Sequence, residues 1–156
     1  MPTELTDRPR WVRRTAAKVP LTITGSAASS TDPVTWSRHA DAARSTVGSG
    51  TGFVLNGDGV VCVDLDHCVD GGHPAAWARR ILDLAPGCWV EVSASGTGLH
   101  IWGVGALPAG GRRVALDGGG TAEVYGTGRY IAVTGLTWGD TPRRLGDLQN
   151  LIDRLL

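Results

Sequence analysis

Lysine is almost missing from this chain. Lys18 is the only one, and 15 basic residues are matched by 15 acidic ones for a net charge of zero. That balance argues against a broadly basic face, although it does not exclude a nucleic-acid partner. Cysteine is scarce too. Cys62, Cys68 and Cys88 make an odd count without a C-x-x-C pair, which speaks against a zinc ribbon and against a disulfide framework. Cys62 falls inside an apolar run and reads as a small buried hydrophobe. No apolar run approaches bilayer-spanning length, and the polar, Arg-containing N-terminus lacks the apolar centre of a signal peptide. No membrane partner is expected, and the cytoplasm is the expected compartment.

Glycine, by contrast, is abundant. The chain has 23 glycines, too many for a helical bundle, and they suit a sheet protein with tight turns and close backbone approaches. At 156 residues and 42% hydrophobic content, one domain with a real core is expected. We place it at 11–156, behind a partly ordered lead-in at 1–10.

The chain is organised around Val60-Val61-Cys62-Val63-Asp64-Leu65-Asp66-His67, an apolar, Val-rich run ending in two acids one residue apart. Gly57, Asp58 and Gly59 form a turn before it, so it reads as a buried strand. Alternate side chains of a strand share a face, which projects Asp64 and Asp66 together from the strand's end. Two carboxylates that close repel unless something positive sits between them, and Mg²⁺ or Mn²⁺ answers that need. Solvated acids at strand ends are common, so the pair alone is a weak signal.

Around that run the sequence predicts strands and helices in mixed order. Trp11 to Arg14 reads as a first strand. Asp32-Pro33 starts a helix, with Asp as N-cap and Pro in the first turn, that Trp36, Ala40 and Ala43 carry to about Arg44. The glycines at 48–52 lack the Gly-Lys-Ser/Thr ending of a phosphate loop and read as backbone passing close to something, or as a flexible loop. Residues 53–55 join the acidic strand through Asn56-Gly57-Asp58-Gly59, a hairpin signal. A helix at 74–85 buries Trp77, Ala78, Ile81 and Leu82 on one stripe. Strands at 89–93 and 99–102 flank the turn Ser95-Gly96-Thr97-Gly98. Residues 103–120, with Arg112 and Arg113 among their glycines, read as mobile. Strands at 121–125 and 129–134 form a second hairpin around Gly126-Thr127-Gly128, and Thr141-Pro142 opens a last helix. The sum is a single α+β domain with a largely antiparallel sheet and flanking helices.

Chemistry gathers at three places. His100 alternates with Leu99 and Ile101, so it faces away from their packing side, and Trp102 shares its face. It follows a turn whose backbone N–H groups and Ser95 and Thr97 hydroxyls suit an anion such as a phosphate. Glu123 and Tyr125 share one face of a later strand, where a third carboxylate would complete a two-metal site. Arg129 would offer a phosphate its forked donors. Each has a bland reading: His100 as structural, Glu123 as a solvent-facing strand residue, Arg129 as its salt-bridge partner, Tyr125 as core. Their coincidence is the signal.

Together these residues resemble the three motifs of the archaeo-eukaryotic primase superfamily, in particular the primase-polymerase (prim-pol) domain of phage and plasmid replication proteins. The strand-end acids fall on Asp64 and Asp66, the small-x-His step on Gly98-Leu99-His100, and the apolar-acid step on Ala122-Glu123. The strings Ser95-Gly96-Thr97-Gly98-Leu99-His100 and Arg129-Tyr130-Ile131-Ala132-Val133-Thr134-Gly135 are the specific ones. Likeness extends upstream through Trp11, Lys18-Val19-Pro20, 32–36 and 50–55, so it covers about 11–135. The resemblance implies a palm-like (RRM-like) sheet and a two-metal nucleotidyltransferase that primes or extends DNA. Asp64, Asp66 and Glu123 would hold two Mg²⁺ or Mn²⁺ ions. His100, with Ser95, Gly96, Thr97 and Gly98, would grip the phosphates of an incoming NTP or dNTP, with Arg129 and Lys18 as weaker candidates. Glu91 rivals Glu123 for the metal, or orders the Ser/Gly turn. Single-stranded template and primer, nucleoside triphosphates and a replicative helicase are the expected partners. A metal-dependent nuclease or phosphohydrolase, and a catalytically silent nucleotide- or DNA-binding module, are the rival readings.

Overall fold

The computed structural model describes residues 1–108 and 110–156. The chain opens with a one-turn helix α1 (Thr3–Thr6), then β1 (Trp11–Arg14), β2 (Pro20–Leu21), a 3-10 turn at Pro33–Thr35, α2 (His39–Arg44) and β3 (Gly50–Asn56). Next come β4 (Val60–Leu65), a small ribbon of β5 (Val69–Asp70) and β6 (His73–Pro74), α3 (Ala76–Leu82), β7 (Trp89–Val92) and β8 (Leu99–Val104). The last elements are β9 (Arg112–Ala115), β10 (Thr121–Tyr125), β11 (Thr127–Val133), β12 (Gly146–Asp147) and α4 (Gln149–Leu155). No helix among the described residues is long and apolar enough to cross a membrane.

The α+β expectation with largely antiparallel pairing holds, but the strands divide between two main sheets. The smaller has the order β11-β3-β1-β2; the larger runs β12-β8-β4-β10-β9, with β7 also paired to β8. Every pair is antiparallel except β12 with β8. Alternation decides the layering. On the larger sheet Val61, Val63, Leu65, Val90, Leu99, Ile101, Ala122 and Val124 pack with Ala78 and Ile81 of α3 and Leu151 and Ile152 of α4. The opposite face presents Val60, Cys62, Trp89, Trp102 and Tyr125 to Trp11, Phe53, Leu55, Ile131 and Val133 of the smaller sheet. The layers are therefore helices, larger sheet, smaller sheet. Phe53 meets Trp102 edge-on across the inter-sheet core, ring centroids 5.9 Å apart.

Both expected hairpins prove to be crossings between sheets. β3 lies in the smaller sheet and β4 in the larger, while β10 lies in the larger and β11 in the smaller. Alternation specifies which side chains face inward, but not whether the next strand lies beside or beneath. Here Phe53 and Leu55 bury against Val60 and Cys62, so the turn stacks its strands instead of pairing them. The two crossings touch, with the Gly57 N–H donating to the Gly126 carbonyl at 2.9 Å. Asp58 in the first is held by Arg8 at 3.0 Å and Arg10 at 2.9 Å.

Other expectations are corrected locally. The helix over 32–44 is broken. Asp32 caps only the 3-10 turn through Val34 N–H at 3.1 Å, and Ser37 then bridges Trp11 in extended backbone before α2 begins. The last helix starts at Gln149 rather than Thr141, because 146–147 first pairs with β8. Residues 103–120, read as mobile, contain β9 paired to β10; Ala109 within them lies outside the described residues. The lead-in at 1–10 is built in, with Leu5 fully buried and its carbonyl accepting from Trp11 Nε1 at 3.1 Å.

Candidate active site

Cross-strand register assembles the site. Arg113 of β9 lies opposite Glu123 of β10, Glu123 opposite Asp64 of β4, Asp64 opposite His100 of β8, and His100 opposite Glu91 of β7. Five strands thus contribute one polar row across the larger sheet, on the face turned toward the smaller sheet. The next row inward, Tyr125, Cys62, Trp102 and Trp89, is its apolar floor.

His100 is buried between two carboxylates. Its Nδ1 stands 3.0 Å from Glu91 Oε1, and its Nε2 stands 3.6 Å from Asp64 Oδ1, beyond hydrogen-bond reach. That Asp64 oxygen is buried and has no hydrogen-bond partner. Burial pushes the Asp64 carboxyl above its ordinary range, His100 opposes this, Asp66 and Glu123 push further, and Lys18 opposes. Glu123 accepts from the Tyr125 hydroxyl at 2.5 Å and lies 3.6 Å from Arg113 Nε. Burial and then the bond to Glu123 push the Tyr125 hydroxyl up to about 12, so it stays a proton donor. The Arg129 guanidinium covers the Tyr125 ring at 4.7 Å from its centroid, which leaves that tyrosine a core residue.

The remaining predicted residues sit at the rim. β4 stops at Leu65, so Asp66 lies beyond the ladder, exposed in the following turn and still near enough to push the Asp64 carboxyl up. In the adjoining turn the Ser93, Ser95 and Thr97 hydroxyls form a chain at 3.0 and 3.1 Å, and Ser95, Gly96 and Thr97 are exposed. A Cβ on Gly98 would stand 2.9 Å from the Leu65 carbonyl, so glycine alone lets this turn close against the end of β4. Lys18 adopts φ 61, a left-handed conformation unusual for a side-chain-bearing residue, with its carbonyl accepting from the Tyr130 hydroxyl.

An orphaned, buried carboxylate oxygen flanked by two further acids suits a hard divalent cation. Among the described residues no three His, Cys, Asp or Glu side chains converge as a ready-made cage, so water and substrate oxygens would have to complete any coordination.

The chain resembles a phage primase-polymerase. It is 37% identical over 133 residues, 80% of its length, to a protein named DNA primase-polymerase from Nitratiruptor phage NrS-1. It spans 18% of that relative's length. No protein-family model matches the chain.

Glu91 and Glu123 now separate. Glu91 is fully buried and bonded to His100, Trp102, Thr134 and Gly135, so what it orders is the corner after β11, not the Ser/Gly turn. Glu123 is partly exposed directly opposite Asp64, which leaves it the better placed of the two toward a cation. Sequence reasoning missed Arg113 at the end of the row. A short alternating run ahead of Asp117-Gly118-Gly119-Gly120 is a hairpin signal that would have found β9. An apolar pocket of about 290 Å³ lies at the other end of β4, among Gly57, Val60, Leu107 and Gly126, with no titratable side chain among its described lining residues.

Proposed function

We propose that the row is the active site of a metal-dependent nucleotidyltransferase that adds nucleotides to a primer on a single-stranded DNA template, in phage or plasmid replication. The observation that carries this is the orphaned Asp64 oxygen, set in register between Glu123 and His100. The likeness to a phage primase-polymerase supports it. Asp64, Glu123 and Asp66 would hold Mg²⁺ or Mn²⁺. Bound there, the cations would make the primer 3′-hydroxyl a better nucleophile and neutralise triphosphate charge.

The protein's own part is positioning. The Ser95 and Thr97 hydroxyls, the backbone of Gly96 and Gly98 and the His100 Nε2 edge surround the end of β4, where phosphate oxygens would lie. Lys18 and Arg129 bring positive charge from the smaller sheet. Tyr125 holds one Glu123 oxygen.

A palm-like, RRM-like core is part of the proposal. With β4, β7, β8 and β10 taken as first to fourth strands, their spatial order is second-third-first-fourth, with α3 between the first two. That is the split βαβ order. It departs from the usual motif in that β9, not a helix, links β8 to β10, while α4 packs on the helix side from the end of the chain. A replicative helicase remains a proposed partner.

The test is primer extension on a short single-stranded template with Mn²⁺ or Mg²⁺, comparing wild type with Asp64→Asn/Asp66→Asn. Stepwise lengthening in the wild type alone is expected. Extension by the double mutant removes the metal role of these acids. Shortened primer indicates a nuclease, and nucleotide binding without turnover a silent module.

A further inference from the structure

The polar row ends on a carboxylate that no substrate reaches. Glu91 is 0% exposed, yet four donors converge on it. Its Oε1 faces His100 Nδ1 at 3.0 Å and Trp102 Nε1 at 3.1 Å. Its Oε2 takes the Thr134 N–H at 3.0 Å and the Gly135 N–H at 2.9 Å, while the Thr134 hydroxyl donates its one hydrogen to the Val92 carbonyl at 2.6 Å. An ionised carboxylate offers about four lone-pair sites, so Glu91 is saturated and has no capacity left for a metal. Indole and backbone N–H groups can only donate, which makes this carboxylate an acceptor on both oxygens.

We infer that Glu91 is a positioning residue that fixes the ring plane and hydrogen placement of His100. Facing an acceptor, Nδ1 carries a hydrogen in either charge state of the ring, and Nε2 is the one imidazole nitrogen presented to Asp64 and to substrate. The same carboxylate ties this ring to the Thr134–Gly135 corner where the chain leaves the smaller sheet. His100 orientation and the join between the sheets are therefore one device. A carboxylate behind a working imidazole is a recurrent way of setting its tautomer. The effect on turnover rests on the nucleotidyltransferase reading; the hydrogen placement does not.

The experiment is long-range ¹H–¹⁵N correlation of the His100 ring in the histidine-labelled full chain, wild type and Glu91→Gln, together with primer extension and thermal melting with and without Mn²⁺. A protonated Nδ1 is expected in the wild type. In the variant the Gln oxygen stays with the Thr134 and Gly135 N–H groups and its NH₂ turns to Nδ1, so the hydrogen moves to Nε2. Turnover should fall roughly tenfold to a hundredfold, while Mn²⁺ still raises the melting temperature. A neutral ring with its hydrogen on Nε2 in the wild type overturns the inference. So does a Glu91→Gln protein that loses stability while its His100 pattern stays as in wild type, since that describes a merely structural residue. If Glu91→Gln does not fold, the wild-type spectrum decides alone, with Trp102→Phe as support. That variant removes the other Oε1 donor and is expected to keep the Nδ1 hydrogen; its loss overturns the inference as well. A wild type without polymerase turnover removes the proposed function and leaves the spectroscopic arm intact.

Discussion

Asp64 shows how a proposed metal-binding role and stability pull apart at a single residue. Its folded carboxyl titrates above the ordinary range, so the folded chain holds a proton there that the unfolded chain has already released. Its favourable contribution is present below the ordinary carboxylate pKa and is lost as pH rises through the raised folded value. In neutral, metal-free solution Asp64 is therefore a destabilising residue. Asp64→Asn should stabilise the metal-free protein by about 1 kcal/mol, roughly 2–4 °C in melting temperature, while abolishing turnover. Its advantage should shrink in acid, and Mn²⁺ should raise the midpoint of wild type but not of the variant. Thermal melts at neutral and acid pH, with and without Mn²⁺, check all three. The residues named from sequence were legible where alternation or a motif string fixes a face, as for Asp64, His100 and Glu123. Asp66 stands one residue beyond the last ladder pair, where strand alternation no longer fixes a face. Arg113 was invisible because membership of the row depends on register across β9 and β10, which no single segment records.

At the scale of elements, β4, β7, β8, β10 and α3 were readable from periodicity, whereas the routes between layers were not. Asn56-Gly57-Asp58-Gly59 has the composition of a hairpin and makes a crossing, because side chains on both flanking strands are apolar toward each other. What holds that crossing is long-range. Burial pushes the Asp58 carboxyl up, but Arg10 and Arg8 outweigh it and hold it below its ordinary range. Its stabilisation is present above the ordinary carboxylate pKa and is lost as pH falls through the lowered folded value. Asp58→Ala leaves Arg10, 4% exposed, without its carboxylate and should cost about 1–3 kcal/mol, measured by urea unfolding at neutral pH. The penalty should largely vanish in acid. An unchanged midpoint would mean that the Asn56 side-chain oxygen, which accepts from Arg10, and the Phe53 ring, 4.7 Å beneath its guanidinium, suffice to hold it.

For the whole molecule, neutrality limits how the proposed single-stranded template could be held. Beside the row stand Lys18, Arg129 and Arg113, and three phosphate contacts predict a salt dependence for single-strand binding with a log–log slope of about −2. Fluorescence anisotropy at several salt concentrations measures it. A much steeper slope would require a basic track elsewhere on the surface. The lone lysine announced this economy in the sequence; the meeting of Lys18 from the β1–β2 turn with Arg113 of β9 and Arg129 of β11 did not.

The two abutting crossings at Gly57 and Gly126 make the paired sheets a bound book, with Glu91 as a clasp at the far corner. A binding at one edge fixes the gauge of the opening at the other. The gap in which Asp64 works is set by the thickness of what lies between the pages, chiefly Phe53, Trp102 and Trp11. Substituting those aromatics would change the spacing of the two sheets, and with it the room above Asp64, without replacing any residue of the polar row.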